Sequence, residues 1–364
     1  MTAKVSLIRD FLRLLCQSIR LHMSITSFNP NSAALHDSGL FGLPFDEHHS
    51  QIIIIPIEWE LTVSYGKGTA AGPKAVYDAS LQIDLNNHDY PDLWKKGIWM
   101  DSFPEHLRQL HDSLRKDADT IIQAIGEGSM DENDKKFITL YQRIEEGAER
   151  MNQWLFERIA YWKSKGKIVG LLGGDHSVPI AYHRYLNDQK SDYGVLMVDA
   201  HIDLRDAYEG FKYSHASIFF NVMKMSKVKK LVQVGIRDYC HEEAELVRQQ
   251  SDRVHVFFDR DLRMQQFEGI GWKEQVDSMI GLLPDKVYIS VDIDGLDPVL
   301  CPNTGTPVPG GLQFEELMYL LNRIRLSGKD IIGFDLCEVS PGHNEWDGNV
   351  GARVLFQLCG VASK

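Results

Sequence analysis

The stretch Gly194 to Arg205 reads GVLMVDAHIDLR. Gly194 to Val198 is a short apolar run with the composition of a strand buried on both faces. It passes without a break into Asp199, His201 and Asp203, three metal-competent side chains at i, i+2 and i+4. Extended backbone would point all three the same way. Just past a strand's carboxyl end, where open α/β sheets keep their ligand sites, they would face one crevice. The plainer alternative is a polar strand end with a capping aspartate.

The same grammar repeats on both sides of this stretch. Apolar runs at Gln51–Ile57 (QIIIIPI), Ile168–Leu172 (IVGLL), Leu231–Val234, Val254–Phe258, Val287–Val291 and Ile331–Phe334 read as further strands. Helical spacing appears at Pro104–Ile125, Phe137–Ser164, Ser177–Leu186, Glu242–Gln250 and Phe314–Ser327. Strand, loop and helix in alternation predict a three-layer α/β/α architecture around a mostly parallel central sheet. No linker, repeat or low-complexity tract interrupts it, so residues 41–364 read as one catalytic domain and residues 1–40 as an N-terminal extension. Within that extension, MTAKVSLIRDFLRLLCQSIRLHM is broken by Arg9, Arg13 and Arg20 and lacks a signal-peptide apolar core. It reads as an amphipathic helix or, in the preferred reading, as sequence translated ahead of a start at Met23. Residues 84–135 are irregular outside the one helix and would suit an insertion or lid.

Composition narrows the function classes. The chain has 364 residues, 43% hydrophobic and 25% charged, an ordinary globular balance. A formal charge of -12 without a basic stripe argues against a nucleic-acid or anionic-membrane surface and suits a cationic small substrate. Cysteines at 16, 240, 301, 337 and 359 form no C-x-x-C pair, which excludes a disulfide framework and a zinc-thiolate site and fits a reducing cytoplasm. No run is long enough for a transmembrane helix.

Two more strand ends carry metal-competent residues in unusual density. GGDHS places His176 after two glycines, although a tight turn capped by Asp175 would read the same way. DIDGLDP follows the strand VYISV with Asp292, Asp294 and Asp297. Asp292 and Asp294 alternate toward one side, and two carboxylates that close repel unless a cation lies between them. The alternative is a solvated acidic turn. Together His176, Asp199, His201, Asp203, Asp292 and Asp294 offer oxygen and imidazole donors but no sulfur, a set for manganese, iron or nickel. Six ligands exceed what one ion that also holds water can use. Two divalent ions sharing Asp199 and Asp292 use them fully, and a hydroxide between the ions makes metal-assisted hydrolysis the reaction class. GKGTAAGPKAV lacks phosphate-loop spacing and reads as a glycine-rich turn entering a helix at Pro73.

GGDHS, DAHIDLR and SVDIDGLDP, in this order, resemble the signatures of the ureohydrolases, the arginase, agmatinase and formiminoglutamase family. The resemblance runs from about Ile52 to the C-terminus and takes in GKGTAAGPKAV. It implies an arginase-like fold and a homo-oligomer, trimeric or hexameric. It implies one metal on His176, Asp199, Asp203 and Asp292 and another on Asp199, His201, Asp292 and Asp294. Mn2+ is the expected ion and Ni2+ the alternative. The resemblance also gives Asp203 the task of orienting the hydroxide. His215, in KYSHASIFF, would pass a proton to the leaving amine, which a group titrating near neutrality can do. Ala216 follows it where relatives have glycine. Glu338, in DLCEVSP, would hold the guanidinium by two parallel hydrogen bonds. On the residues alone, His215 reads as a surface loop histidine and Glu338 as an ordinary strand-end acid.

Substrate choice rests on the loops. Asp203–Arg205 resembles formiminoglutamase, yet the basic groups a dicarboxylate needs are missing after SHAS, where Ile218, Phe219 and Phe220 follow. Trp59, Tyr65, Tyr208, Phe211 and Tyr213 favour a small cation, with Trp59 and Tyr208 as expected substrate contacts, unless they serve packing. WELTVSYG, HIDLRDAYEGF, SHAS and CPNTGTPVPGG together resemble an agmatinase-like branch that includes nickel-dependent guanidine hydrolases. The expected substrates are therefore free guanidine or a short alkylguanidine, then agmatine, then formiminoglutamate with formamide and glutamate as products. A ureohydrolase-like binding protein without turnover and a binuclear phosphoesterase are the rival classes. The second lacks a basic phosphate clamp.

Overall fold

A computed structural model describes Ile25, residues 28–35 and residues 38–363. The reading of residues 1–22 and of Met23 as a start falls outside the described residues. Eight strands build one sheet: β1 (Ile52–Pro56), β2 (Ile98–Met100), β3 (Ile168–Leu172), β4 (Tyr193–Val198), β5 (Val228–Ile236), β6 (Val254–Phe258), β7 (Lys286–Asp292) and β8 (Asp330–Cys337). The strand order is β2-β1-β3-β8-β7-β4-β5-β6 and every pairing is parallel. The helices among the described residues are α1 (Gly72–Ser80), α2 (Glu105–Gly126), α3 (Lys135–Ser164), α4 (Ile180–Asn187), α5 (Ile218–Met223), α6 (His241–Gln249), α7 (Asp259–Phe267), α8 (Trp272–Leu282), α9 (Phe314–Leu326) and α10 (Trp346–Ala362).

The two-residue period of the strands sorts the core into two layers. In β1, Ile52 and Ile54 join one apolar cluster while Ile53 and Ile55 join the other. In β4, Leu196 and Val198 face the first and Val195 and Met197 the second. The first cluster is covered by α1, α8, α9 and α10, the second by α2, α3, α4 and α5. Each of the four β1 isoleucines is fully buried. Burying a side chain of that size is worth about 1.5–3 kcal/mol, so the unbroken apolar runs are what a sheet covered on both faces requires.

Two elements escape the sequence pattern. β2 is a three-residue edge strand inside the stretch that reads as irregular, and a short edge strand carries little signal of its own. α10 is buried along most of its length and apolar on nearly every side, so it lacks the one-sided stripe that marks a surface helix. The expected helix at Ser177 starts instead at Ile180, behind Pro179, because proline disfavours helical backbone at the residue before it.

The topology places the chemistry. The chain turns from β3 to β4 across a gap filled by β8 and β7. From the neighbours β4 and β7 the chain then winds in opposite directions, β4 to β5 and β7 to β8, which leaves a crevice at the carboxyl ends of the central strands. β3, β8, β7 and β4 are neighbours in that order, and their carboxyl ends lead into His176, Glu338, Asp292 and Asp199.

Candidate metal centre

Three acids at these strand ends each have one oxygen fixed by a nearby amide. Asp199 Oδ1 accepts the His201 N–H at 2.6 Å, Asp292 Oδ1 accepts the Asp294 N–H at 2.9 Å, and Asp294 Oδ1 accepts the Ala200 N–H at 3.0 Å. The second oxygens converge on two imidazoles. Around His176 Nδ1 stand Asp199 Oδ2 at 2.9 Å, Asp203 Oδ2 at 3.1 Å and Asp292 Oδ2 at 3.3 Å. Around His201 Nδ1 stand Asp294 Oδ2 at 3.1 Å and Asp199 Oδ1 at 3.5 Å. Asp199 thus turns one oxygen to each histidine. His176, Asp199 and Asp292 form one group of metal-ligand geometry and Asp199, His201 and Asp294 a second.

The donor set fits a cation better than it fits itself. Ser290 Oγ donates to Asp335 Oδ1 at 2.9 Å and lies 3.0 Å from His176 Nε2. A hydroxyl has one hydrogen, and here it goes to the carboxylate, so the His176 Nε2–H donates to Ser290. In the neutral ring Nδ1 is then a bare lone pair facing three carboxylate oxygens, all acceptors. His176 Nδ1 and Asp199 Oδ2 are buried and make no hydrogen bond of ordinary geometry. A divalent cation resolves that arrangement, and the Ser290–Asp335 pair supplies the outer support such a ligand needs. A proton can also answer the same field. Although burial opposes charge, Asp199 and Asp203 raise the proton affinity of His176 well above its usual value. Burial, then the charge of Asp199, pushes the Asp203 carboxyl up to about 7.

Local backbone geometry is spent on aim. Asp203 and Glu338 both adopt left-handed conformations, φ 57 and φ 63, which are uncommon outside glycine. The Asp203 carbonyl accepts the Phe219 and Phe220 N–H groups at the start of α5, which fixes the turn. Glu338 Oε1 accepts the His176 N–H at 2.9 Å, its own N–H donates to the Gly174 carbonyl, and its carbonyl accepts Thr304 Oγ. A side chain at Gly174 would lie 1.9 Å from the Trp59 carbonyl oxygen, so only glycine lets β3 enter this turn. Burial, then Asp175, raises the Glu338 carboxyl well above the usual range.

The structure brings all six expected ligands and Glu338 into one buried cluster at the strand ends. His215 stands beside it on the short turn before α5. Burial, then the charges of His201 and His176, pushes its imidazole down to about 3, which keeps it neutral. The aromatic residues disperse. Tyr208 meets the His215 ring edge-on at 6.1 Å and carries the Arg205 guanidinium 4.8 Å above its face. Trp59 is 1% exposed and packs on His111, Phe211 packs on Tyr141, and Tyr213 pairs with Glu149 and Arg184. Tyr65 stands 75% exposed. These five make no single cage.

Other contributors carry little sequence signal. Asp175 holds Ser177 through Oδ1 and the Leu61 N–H through Oδ2, so the expected cap and the expected ligand His176 coexist in GGDHS. Glu60 Oε2 accepts from Gly68 N, Thr69 Oγ and Ala70 N at 2.6, 3.1 and 3.2 Å. That carboxylate already occupies the amides of the glycine-rich turn, which explains in geometry why it is no phosphate loop. Ser290 precedes Asp292 by one strand period, and that alternation is the signal that could have found it.

Comparison with known proteins follows the same lines. Residues 50–360 match the Arginase family. The N(1)-aminopropylagmatine ureohydrolase of Thermus thermophilus is 28% identical over 318 residues, 87% of this chain and 92% of that protein. Among solved structures, the agmatine ureohydrolase of Thermoplasma volcanium superposes with TM-score 0.66 at 22% identity, covering 90% of this chain and 95% of that one. The formiminoglutamase of Trypanosoma cruzi superposes with TM-score 0.65 at 18% identity, over 90% of this chain and 99% of that one. At these identities the two structures speak for the fold.

Proposed function

The chain belongs to the arginase family and is a hydrolase of carbon–nitrogen bonds, and from that premise we propose a two-metal ureohydrolase that releases urea from a small guanidino compound. Free guanidine or a short alkylguanidine such as agmatine is the substrate this reading favours. The observation that carries it is Asp199, which faces His176 with one oxygen and His201 with the other. His176, Asp199, Asp203 and Asp292 would hold one divalent ion, and Asp199, His201, Asp292 and Asp294 the other. Oxygen and imidazole donors suit Mn2+, with Ni2+ as the alternative. When bound, such a pair supplies Lewis acidity and a water acidic enough to attack at neutral pH.

The chain's own groups divide the remaining work. Glu338 has one oxygen anchored on the His176 amide and presents the other toward Gly305. A buried carboxylate there recognises a planar cation by charge-assisted hydrogen bonds and holds its carbon against the acids. Asp203, ionised as a ligand, would accept a hydrogen bond from the attacking water and fix its direction. His215 stands beside the cluster on the turn before α5, where it would pass a proton to the departing nitrogen. Burial of the whole set strengthens each of these interactions over their worth in water.

A second reading, formimidoylglutamase releasing formamide and glutamate, is supported by Arg205. Its guanidinium is 38% exposed, lies over Tyr208 and reaches Glu243 only at 3.6 Å, so donors remain for a carboxylate. The amine-tailed substrate named for the Thermus relative favours the first reading. The experiment is a panel that reads urea, ammonia and formamide release over guanidine, agmatine, arginine, guanidinobutyrate and formiminoglutamate, with manganese and nickel in parallel. Urea from guanidine or agmatine is the expected result; formamide from formiminoglutamate alone would transfer the assignment to the second reading.

A further inference from the structure

Beyond the metal centre, a cavity of about 630 Å³ lies on the outer side of the 208–210 turn, lined among others by Ile125, Met130, Glu132, Tyr141, Glu209 and Gly210. Its walls combine aliphatic and aromatic surface with two carboxylates, and no lysine or arginine lines it. Tyr141 Oη donates to the Glu209 carbonyl at 2.8 Å. Burial, then the charges of Glu209 and Glu132, pushes that phenol up to about 12, which puts both acids close to one point. Glu209 Oε2 is shut off from solvent and meets no donor. The cation that acts on it, Arg115, is already spent on the Leu61 and Val63 carbonyls and on Asp119. A withdrawn carboxylate oxygen without a donor is unfavourable, and rotating the side chain toward a cation in the cavity would relieve it.

We propose that this cavity binds an aliphatic ammonium group, with Glu209 and Glu132 as its counter-ions and Ile125, Met130 and Tyr141 against its alkyl stem. Two sources share that chemistry, the far end of an extended guanidino substrate and a free alkylamine. Only the first rests on the ureohydrolase reading.

The test is calorimetric titration of the full-length, manganese-supplied protein with 1,4-diaminobutane, with 1-butanol as the uncharged control. The wild-type chain should bind the diamine and not the alcohol. Glu209→Gln should weaken binding at least tenfold, and Ile125→Trp, which fills the stem side without touching charge, should do the same. No heat from the wild-type chain, or isotherms for both variants that overlay it, would overturn the proposal. Because this titration needs no turnover, its failure is separable from failure of the hydrolase assignment. Kinetics then separate the sources. If the substrate's far end is the ligand, Glu209→Gln lowers kcat/KM for agmatine at least tenfold relative to butylguanidine. If a free amine is the ligand, that ratio stays and 1,4-diaminobutane changes the rate on guanidine in the wild-type chain but not in the variant.

Discussion

The strand ends and the loop beside them hold their side chains by different means. At β4 and β7, Asp199, Asp292 and Asp294 are fixed by amides of their own motif or of the motif next to it, as when Asp199 takes the His201 N–H and Asp292 the Asp294 N–H. The 204–217 loop is held instead by side chains far away in sequence. Tyr141 of α3 takes the Glu209 carbonyl, Glu145 takes Lys212, and Glu149 takes Tyr213. The candidate metal centre thus sits at the ends of regular strands, while the loop beside it depends on one helix, α3.

The sharpest way to break this comparison is Asp199→Asn, which keeps the shape and the hydrogen bond to His201 but removes the charge shared by the two histidine groups. Turnover should fall by at least about a thousandfold, roughly 4 kcal/mol in the barrier, and metal content measured by mass spectrometry should drop with it. A variant that stays active would mean the strand ends are not the centre.

The same contrast sets what the sequence could tell. The sheet was legible because runs such as IIIIP and VLMV are apolar on both faces, and the cluster of acids and histidines was legible because Asp199, His201 and Asp203 keep the two-residue period of a strand. Ser290 and Asp335 were not, since their hydrogen bond joins β7 to β8 across 45 residues. Arg115 was not, since its guanidinium reaches the Leu61 and Val63 carbonyls from a helix that reads only as amphipathic. Aromatic residues counted along the 204–217 loop suggested a cage; packing sends Phe211 to Tyr141 and Tyr213 to Glu149 and Arg184. Periodicity reports which face a residue takes and is silent on partners from other elements.

A medium-sized effect separates the two regions by pH. In the metal-free protein, burial and neighbouring acids raise Asp203 to about 7 and Asp292 well above the usual carboxylate range. Against opposing burial, Asp294 and Asp199 raise His201 to about 12. Each of these groups binds its proton more tightly folded than unfolded, so their contribution to stability fades as pH rises through the folded values. His183 and His215, lowered to about 3, are neutral when folded and lose their unfolded-state protons around pH ~6.5, so they add a small opposing slope that dies out by about pH 7.5. The thermal midpoint of the metal-free chain should therefore fall from pH 6.5 to 8.5. With saturating Mn2+ the trend should flatten or reverse, because metal competes with those protons and binds better as they leave. A metal-free midpoint that rises over this range would show that the cluster does not carry the electrostatic strain assigned to it.

The smallest expected effect lies on the loop side. Lys212 reaches Glu145 at 2.6 Å, but the two side chains are 51% and 50% exposed. An exposed pair gains little Coulomb energy in water and loses rotamer freedom in forming, so measured values cluster below about 1 kcal/mol. The loop has other anchors within a few residues, in the Tyr141–Glu209 and Tyr213–Glu149 hydrogen bonds. Lys212→Ala should then shift stability by less than about 1 kcal/mol and leave kcat/KM on guanidine within roughly twofold, read by denaturant unfolding and by the urea assay. A loss of tenfold or more would mean that this single contact, and not the set of contacts from α3, positions the wall of the site.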